Sequence, residues 1–155
     1  MLIAKTREDL GPLAIPRPRP AAYMVVAAGD VPAAHDERLA LVRRIETGVD
    51  LLFIEEAALL ALVAPGRIEA ACEWLSKACA LSVLCMGREG VIVRRGAEEV
   101  FGPACTGFAL APERYADAFL SALAEGATLE ACARAARAAA PAAQDELARV
   151  VPKTH

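Results

Sequence analysis

Between Cys105 and Phe119 the chain carries a glycine (Gly107), an arginine (Arg114) and a carboxylate (Asp117) on a loop that runs into a helix. This is the kit of a phosphate-handling site. Phosphoryl transfer needs backbone N–H groups free to surround an oxyanion, usually at a helix N-terminus, with glycine where a side chain would block the approach. Gly107 alone offers that freedom here, Arg114 could add a cation, and Asp117 is the best candidate for a base. Two further sets could join them. Gly87 and Gly90 punctuate a turn between two apolar runs and could line a ligand. Glu55 and Glu56 follow an apolar run and could hold magnesium, since hard cations favour carboxylates. Each feature also has a plain explanation: acidic residues suit a first helical turn through the helix dipole, and arginine at a helix start is commonly a solvated surface residue.

The elements that must position these groups read as an α/β protein. Ala22 to Ala28 is a buried strand, His35 to Thr47 a helix with Leu39, Val42 and Ile45 on one face, and Val49 to Ile54 a second buried strand. Glu55 to Val63 is a short helix, Pro65-Gly66 a break, and Arg67 to Ala80 a helix burying Ile68, Cys72, Leu75 and part of Trp74. Leu81 to Met86 and Val91 to Arg94 are strands joined by the Gly87 to Gly90 turn, with Val100-Phe101 a third short strand. The helix from about Glu113 to Glu125 buries Ala116, Phe119, Leu120 and Leu123. Strands alternating with helices predict a three-layer, mainly parallel sheet with an antiparallel edge hairpin.

In this order the motifs resemble those of the PfkB-type carbohydrate kinases, the ribokinase-like family. Ala116-Asp117-Ala118-Phe119 is similar to the family signature, in which a Gly-Ala-Gly-Asp run opens a helix and its Asp is the catalytic base. Val49 to Ala58 is similar to the strand leading to an Asn-x-x-Glu motif that helps hold magnesium and phosphate, with Glu55 in place of the Asn and Ala58 in place of the Glu. Leu81 to Val93 is similar to the Gly-x-x-Gly hairpin beside the nucleotide; Gly87 and Gly90 are kept, and Cys85 replaces the usual Thr. The resemblance covers roughly Tyr23 to Ala140 and implies the C-terminal, nucleotide-binding half of such a kinase, with ATP and Mg2+ as cofactors if it is active. The substrate-binding N-terminal half has no counterpart in the chain. Two alignments stay open. If Gly107-Phe108-Ala109-Leu110 replaces Gly-Ala-Gly-Asp, the base has become Leu110; if Arg114-Tyr115-Ala116-Asp117 replaces it, the base survives and both glycines are lost. Losing one oxyanion donor costs about 2.7 to 4 kcal/mol in the barrier, so either alignment damages catalysis.

Composition narrows the remaining classes. A chain of 155 residues, 56% hydrophobic, supports one compact domain that buries roughly two thirds of its unfolded surface. A formal charge of −3, from 17 basic and 20 acidic residues, and the lack of any basic block interleaved with aromatics argue against nucleic-acid binding. No apolar run approaches membrane length, so a soluble, cytoplasmic protein without membrane association is expected. The five cysteines, Cys72, Cys79, Cys85, Cys105 and Cys132, include no Cys-x-x-Cys pair, and the histidines are His35 and His155; neither a disulfide framework nor a zinc site follows. Cys72 and Cys79 share a helix face and read as small buried apolar residues. Residues 1–20, with Pro12, Pro16, Pro18 and Pro20 around Arg17 and Arg19, form a proline-rich arm favouring an extended, polyproline-like course. Residues 21–155 then form a single truncated ribokinase-like domain.

The expected function is a pseudokinase-like scaffold or regulatory interaction module without phosphotransferase activity. The alternative is an ATP-dependent kinase of a sugar or nucleoside hydroxyl, active only as an oligomer or split enzyme, with Asp117 as base. Retained ATP or ADP sensing without catalysis, through Gly87, Gly90 and the late helices, is a third. Half of a larger sheet would expose an apolar edge or face, which predicts a homodimer or a stable protein partner.

Overall fold

A computed structural model describes residues 5–7, 21–63 and 65–141. Its centre is a six-stranded mixed sheet in the order β1 to β6, formed by β1 (Lys5–Arg7), β2 (Ala21–Val26), β3 (Leu51–Glu55), β4 (Leu81–Cys85), β5 (Val91–Arg95) and β6 (Glu98–Gly102). β2, β3 and β4 are parallel. The β5–β6 hairpin continues the sheet antiparallel at one edge, and β1 pairs antiparallel with β2 at the other.

The parallel strands are apolar throughout because both faces are covered, the usual composition of strands buried between helical layers. Side chains alternate between two cores. Tyr23, Val25, Leu51, Phe53, Leu81, Val83 and Cys85 enter one, with the helices α4 (Pro112–Ala124) and α5 (Leu129–Ala139). Met24, Val26, Leu52, Ile54 and Leu84 enter the other, beneath α1 (His35–Gly48), α2 (Glu56–Leu62) and α3 (Ile68–Ala78). Successive crossovers between parallel neighbours are right-handed, so β2, β3 and β4 laid down in one direction put α1, α2 and α3 on the same face. The hairpin then turns the chain, and α4 and α5 cover the opposite face. This gives the expected three layers.

The buried face of α4 is the predicted one, Ala116, Phe119, Leu120 and Leu123, with Tyr115 added. In α1 the face is rotated: Leu41 and Ile45 are buried, and Leu39 is 43% exposed. Trp74 of α3 rests in part on the second core and donates its indole N–H to Glu46 at 2.7 Å. Asp50 lies at the N-terminal end of the parallel strands, where its carboxylate accepts the Ala22 N–H at 2.8 Å.

β1 departs from the expectation of a polyproline-like arm over the first twenty residues. Lys5–Arg7 precedes the first proline, so its amides remain free to pair with β2, and Lys5 is further tied to Glu113 of α4. Its brevity and its two cations suit an edge strand, which natural sheets keep short and charged. Pro12, Pro16, Pro18, Pro20 and His155 lie outside the described residues. Among the described residues no helix is long and apolar enough to cross a membrane.

Candidate functional site at the C-terminal edge of the parallel strands

In open α/β sheets ligands bind beyond the carboxyl ends of the parallel strands. At that edge a depression of about 270 Å³ is lined by Glu55, Glu56, Ala57, Cys85, Met86, Gly87 and Glu89. Glu55 ends β3, and its carboxylate accepts the Ala28 N–H at 3.3 Å. Glu56 opens α2, where the helix dipole favours an acid. The predicted pair Glu55 and Glu56 is therefore brought together at one site with Glu89. Among the described residues no three His, Cys, Asp or Glu side chains are grouped so as to hold a metal ion.

Gly87 and Gly90 bracket a 3-10 turn between β4 and β5. Gly87 has φ 60° and Gly90 φ 105°, both in the region that favours glycine. They do different work. A Cβ on Gly87 would meet nothing within 4 Å, so its open face borders the depression. A Cβ on Gly90 would lie 2.6 Å from the Gly102 carbonyl oxygen, which makes this glycine a condition of hairpin packing.

Gly107 sits in a short 3-10 turn, Thr106–Phe108, ahead of α4. Three local amides are already used: Phe108 N–H donates to Cys105 O at 3.0 Å, and Leu110 and Ala111 N–H both donate to Gly107 O, at 3.2 and 3.0 Å. α4 opens with Pro112, which has no N–H to offer. The space before the Gly107 Cα is also filled: a Cβ there would fall on the Ala140 carbonyl oxygen, and the Pro141 carbonyl oxygen would be 2.6 Å away. The glycine is accounted for by this chain crossing.

Arg114 and Asp117 are both exposed on α4. Asp117 is the sixth residue of the helix, on the flank that faces β1, where its charge acts on Lys5 and Tyr23. The hydrogen bond to Glu113 raises the Lys5 ammonium above its ordinary value, and burial raises Tyr23. Neither Asp117 nor Arg114 lines the depression that holds Glu55, Glu56 and Gly87. Two residues ahead of the helix stands Leu110, 60% exposed.

Behind the depression is a group the sequence did not single out. Cys85 and Cys105 are both buried. Cys105 is anchored on the glycine turn, its N–H 2.8 Å from Gly87 O and its Sγ 3.1 Å from Gly90 O. Tyr115 packs edge-on against Phe108, and its buried hydroxyl has no hydrogen-bond partner among the described residues. Burial raises both the Cys85 thiol and the Tyr115 phenol well above their ordinary ranges.

The architecture is that of the ribokinase-like kinases, and the resemblance read from the sequence is borne out by solved structures. The adenosine kinase of Sinorhizobium meliloti is 27% identical over 75% of this chain and 37% of its own, with a TM-score of 0.61. A nucleoside kinase of Methanocaldococcus jannaschii, an archaeal member of the ribokinase family, is 20% identical over 84% of this chain and 44% of its own, at 0.57. The aminoimidazole riboside kinase of Salmonella enterica, solved with aminoimidazole riboside and an ATP analog, is 14% identical over 77% of this chain and 44% of its own, also at 0.57. The chain thus spans about two fifths of the length of these structures. No family model matches the chain, and no curated protein matches it.

Proposed function

We propose that this chain uses a ribokinase-like, nucleotide-side scaffold for regulation or protein association, without phosphotransferase activity of its own. The observation that carries this reading is the state of the loop ahead of α4: its Phe108, Leu110 and Ala111 amides are bonded within the turn, and Ala140 and Pro141 cover its glycine. A base at the helix start is missing as well, since Leu110, Ala111 and Pro112 lead into the helix while Asp117 lies inside it on the β1 flank. Preorganised donors aimed at developing charge supply much of the rate in phosphoryl transfer, so a site without them gives no useful turnover. The test is transfer from ATP with Mg2+ to ribose, fructose and adenosine, measured for the wild type and Asp117→Asn. No product is expected from either protein. Turnover abolished in Asp117→Asn would overturn the reading and establish the alternative, a kinase that uses Asp117 as base.

A nucleotide-sensing role has its own support in the open face of Gly87 beside Glu55, Glu56 and Glu89. Three carboxylates repel bare phosphates, so this reading requires Mg2+ to arrive with the nucleotide, as that ion commonly does through one or two protein carboxylates. Calorimetric titration with ATP is the check: micromolar binding in the presence of Mg2+ and none in EDTA supports sensing, and no binding in either excludes it. A homodimer or a stable protein partner is part of the proposed role, and a monodisperse monomer in sedimentation at high concentration would refute the homodimer.

A further inference from the structure

β6 is the last strand of the sheet, and among the described residues no strand pairs with its outer side. Hydrogen bonding alternates along an antiparallel ladder, so its parity fixes which groups that side presents. The Met86 N–H donates to Gly90 O at 2.9 Å, which sets Gly90, and with it Ile92 and Arg94, to bond toward β4. Val91, Val93 and Arg95 therefore bond to Gly102, Val100 and Glu98, and the N–H and C=O groups of Glu99 and Phe101 point outward. One face of this edge is also bare. On the α4–α5 side α5 backs the hairpin, where a Cβ on Gly102 would lie 2.9 Å from the Ala133 Cβ; on the other side Phe101 is 68% exposed beside half-buried Ile92. Charge commonly guards such an edge against pairing. Here Glu98 and Glu99 are closed onto Arg95 and Arg94 within the hairpin, which leaves backbone groups and Phe101 as the open chemistry.

We propose that β6 is a homodimer interface: the edges of two copies pair antiparallel about a twofold axis at Val100 and join their sheets into one. This rests on the homodimer of the proposed role and names its surface. The outward groups select the register. Centred on Val100, the Glu99 N–H and C=O of each copy meet the Phe101 C=O and N–H of the other, so the outward groups of both residues are used. A second copy suits this edge because its side chains fall in compatible places. Glu98 comes opposite Gly102 and Glu99 opposite Phe101, so no like charges face each other, an arrangement that would be destabilising. The two Phe101 rings lie diagonally across the axis on the bare face, a separation that aromatic side chains span. Each ring also continues the other copy's row of Arg94 and Glu99. That row borders a depression of about 380 Å³ lined by Ile68, Glu69, Cys72 and Glu73 of α3 together with Arg94. The second copy's Phe101 covers the Arg94–Glu99 pair beside this depression, where an aromatic face near a guanidinium is favourable. Pairing thus buries the exposed aromatic and satisfies the edge backbone in one step.

Sedimentation velocity over a concentration series reads the oligomeric state of the full chain, and oxidative cross-linking reads the register. Val100→Cys sets two sulfurs across the axis on a non-hydrogen-bonded pair, whose Cα atoms lie about 4.5 Å apart, within the span of a disulfide. The wild type is expected to be a dimer. Val100→Cys should give a covalent dimer under mild oxidation with copper phenanthroline, linked at position 100 by peptide mapping and released by dithiothreitol. Phe101→Glu sets a carboxylate opposite Glu99 of the second copy and should be a monomer at concentrations where the wild type is dimeric. Phe101 is exposed, so this variant should keep the circular dichroism of the wild type; should it fail to fold, the cross-link decides alone. A dimeric wild type with either a dimeric, folded Phe101→Glu or no link at position 100 in Val100→Cys overturns this interface and leaves the homodimer standing. A monomeric wild type overturns both.

Discussion

Replacing Gly107 with alanine separates two roles for this residue. In the structure a Cβ at position 107 falls on the Ala140 carbonyl oxygen and lies 2.6 Å from the Pro141 oxygen and the Ala140 carbonyl carbon. Real Cβ atoms do not approach closer than 3.0 Å, so the Pro141 oxygen must withdraw by at least 0.4 Å (3.0 − 2.6), and the Ala140 oxygen by more. Both belong to backbone, and Ala140 is buried and bonded through its N–H to Ala136 O at 3.0 Å. Relief therefore means lifting the end of α5 off the core. Overpacking of this kind costs typically 1–3 kcal/mol and occasionally more, and about 3 kcal/mol is expected here because no flexible side chain can yield. In a domain of this size that lowers Tm by about 10 °C. Urea unfolding followed by circular dichroism measures the change, with Gly29→Ala as control, since a Cβ there meets nothing within 4 Å and a change within about 0.5 kcal/mol is expected of it. Were Gly107 an anion-binding residue, Gly107→Ala would instead keep its stability and lose ATP affinity in calorimetry. A variant within about 0.5 kcal/mol of wild type would refute the packing argument.

Three other perturbations test the same account. Asp50→Ala should destabilise by about 2 kcal/mol by leaving the buried Ala22 N–H without the acceptor it has at 2.8 Å, and Asp50→Asn, which keeps an oxygen, should recover part of this; equal losses in urea melts would show that the hydrogen bond is not the cause. Tyr115→Phe should change stability by no more than about 1 kcal/mol, because the hydroxyl it removes is buried without a nitrogen or oxygen partner; a loss above about 2 kcal/mol would reveal a bond the structure does not have. Burial, reinforced by the charge of Asp50, pushes the Cys79 thiol up to about 12 from 9.0. The folded value lies above the unfolded one, so this stabilisation is fully present below about pH 9 and is lost as pH rises toward 12 while the unfolded thiol ionises. Urea midpoints from pH 8 to 10.5 should therefore fall with pH, and fall less steeply in Cys79→Ala; parallel curves would rule Cys79 out as a source of the slope.

What the sequence disclosed follows the range of the forces involved. Strands buried on both faces must be apolar throughout, so β2, β3 and β4 stand out as continuous runs, and α4 shows its buried face through helical spacing. β1 carries no such mark, because a three-residue edge strand buries little and its pairing with β2 is a backbone matter. The tie of Cys105 to the Gly87 to Gly90 turn and the crossing of Ala140 over Gly107 join segments far apart in sequence, and neither leaves a periodicity. Both concern the candidate site, which is why the site was less legible than the fold.

The choice between the two alignments of the kinase signature, by contrast, was within reach of local chemistry. Proline favours the first helical position, where its missing N–H costs nothing and its φ is already set. Pro112 therefore marks the start of α4, and the structure has the helix begin there. Counting from that start, Asp117 is sixth, about one and a half turns into the helix and past the amides of the first turn. A general base must lie within hydrogen-bond reach of the proton it takes, beside the oxyanion that those amides would hold. The positions that meet this condition in a loop-to-helix site are those just ahead of Pro112, and they hold Ala111 and, before it, Leu110 with its side chain 60% exposed, neither of which can act as a base. Ala-Asp-Ala-Phe matches the family signature in letters while its place in the helix departs from it, and this mismatch weighs for the reading without catalysis.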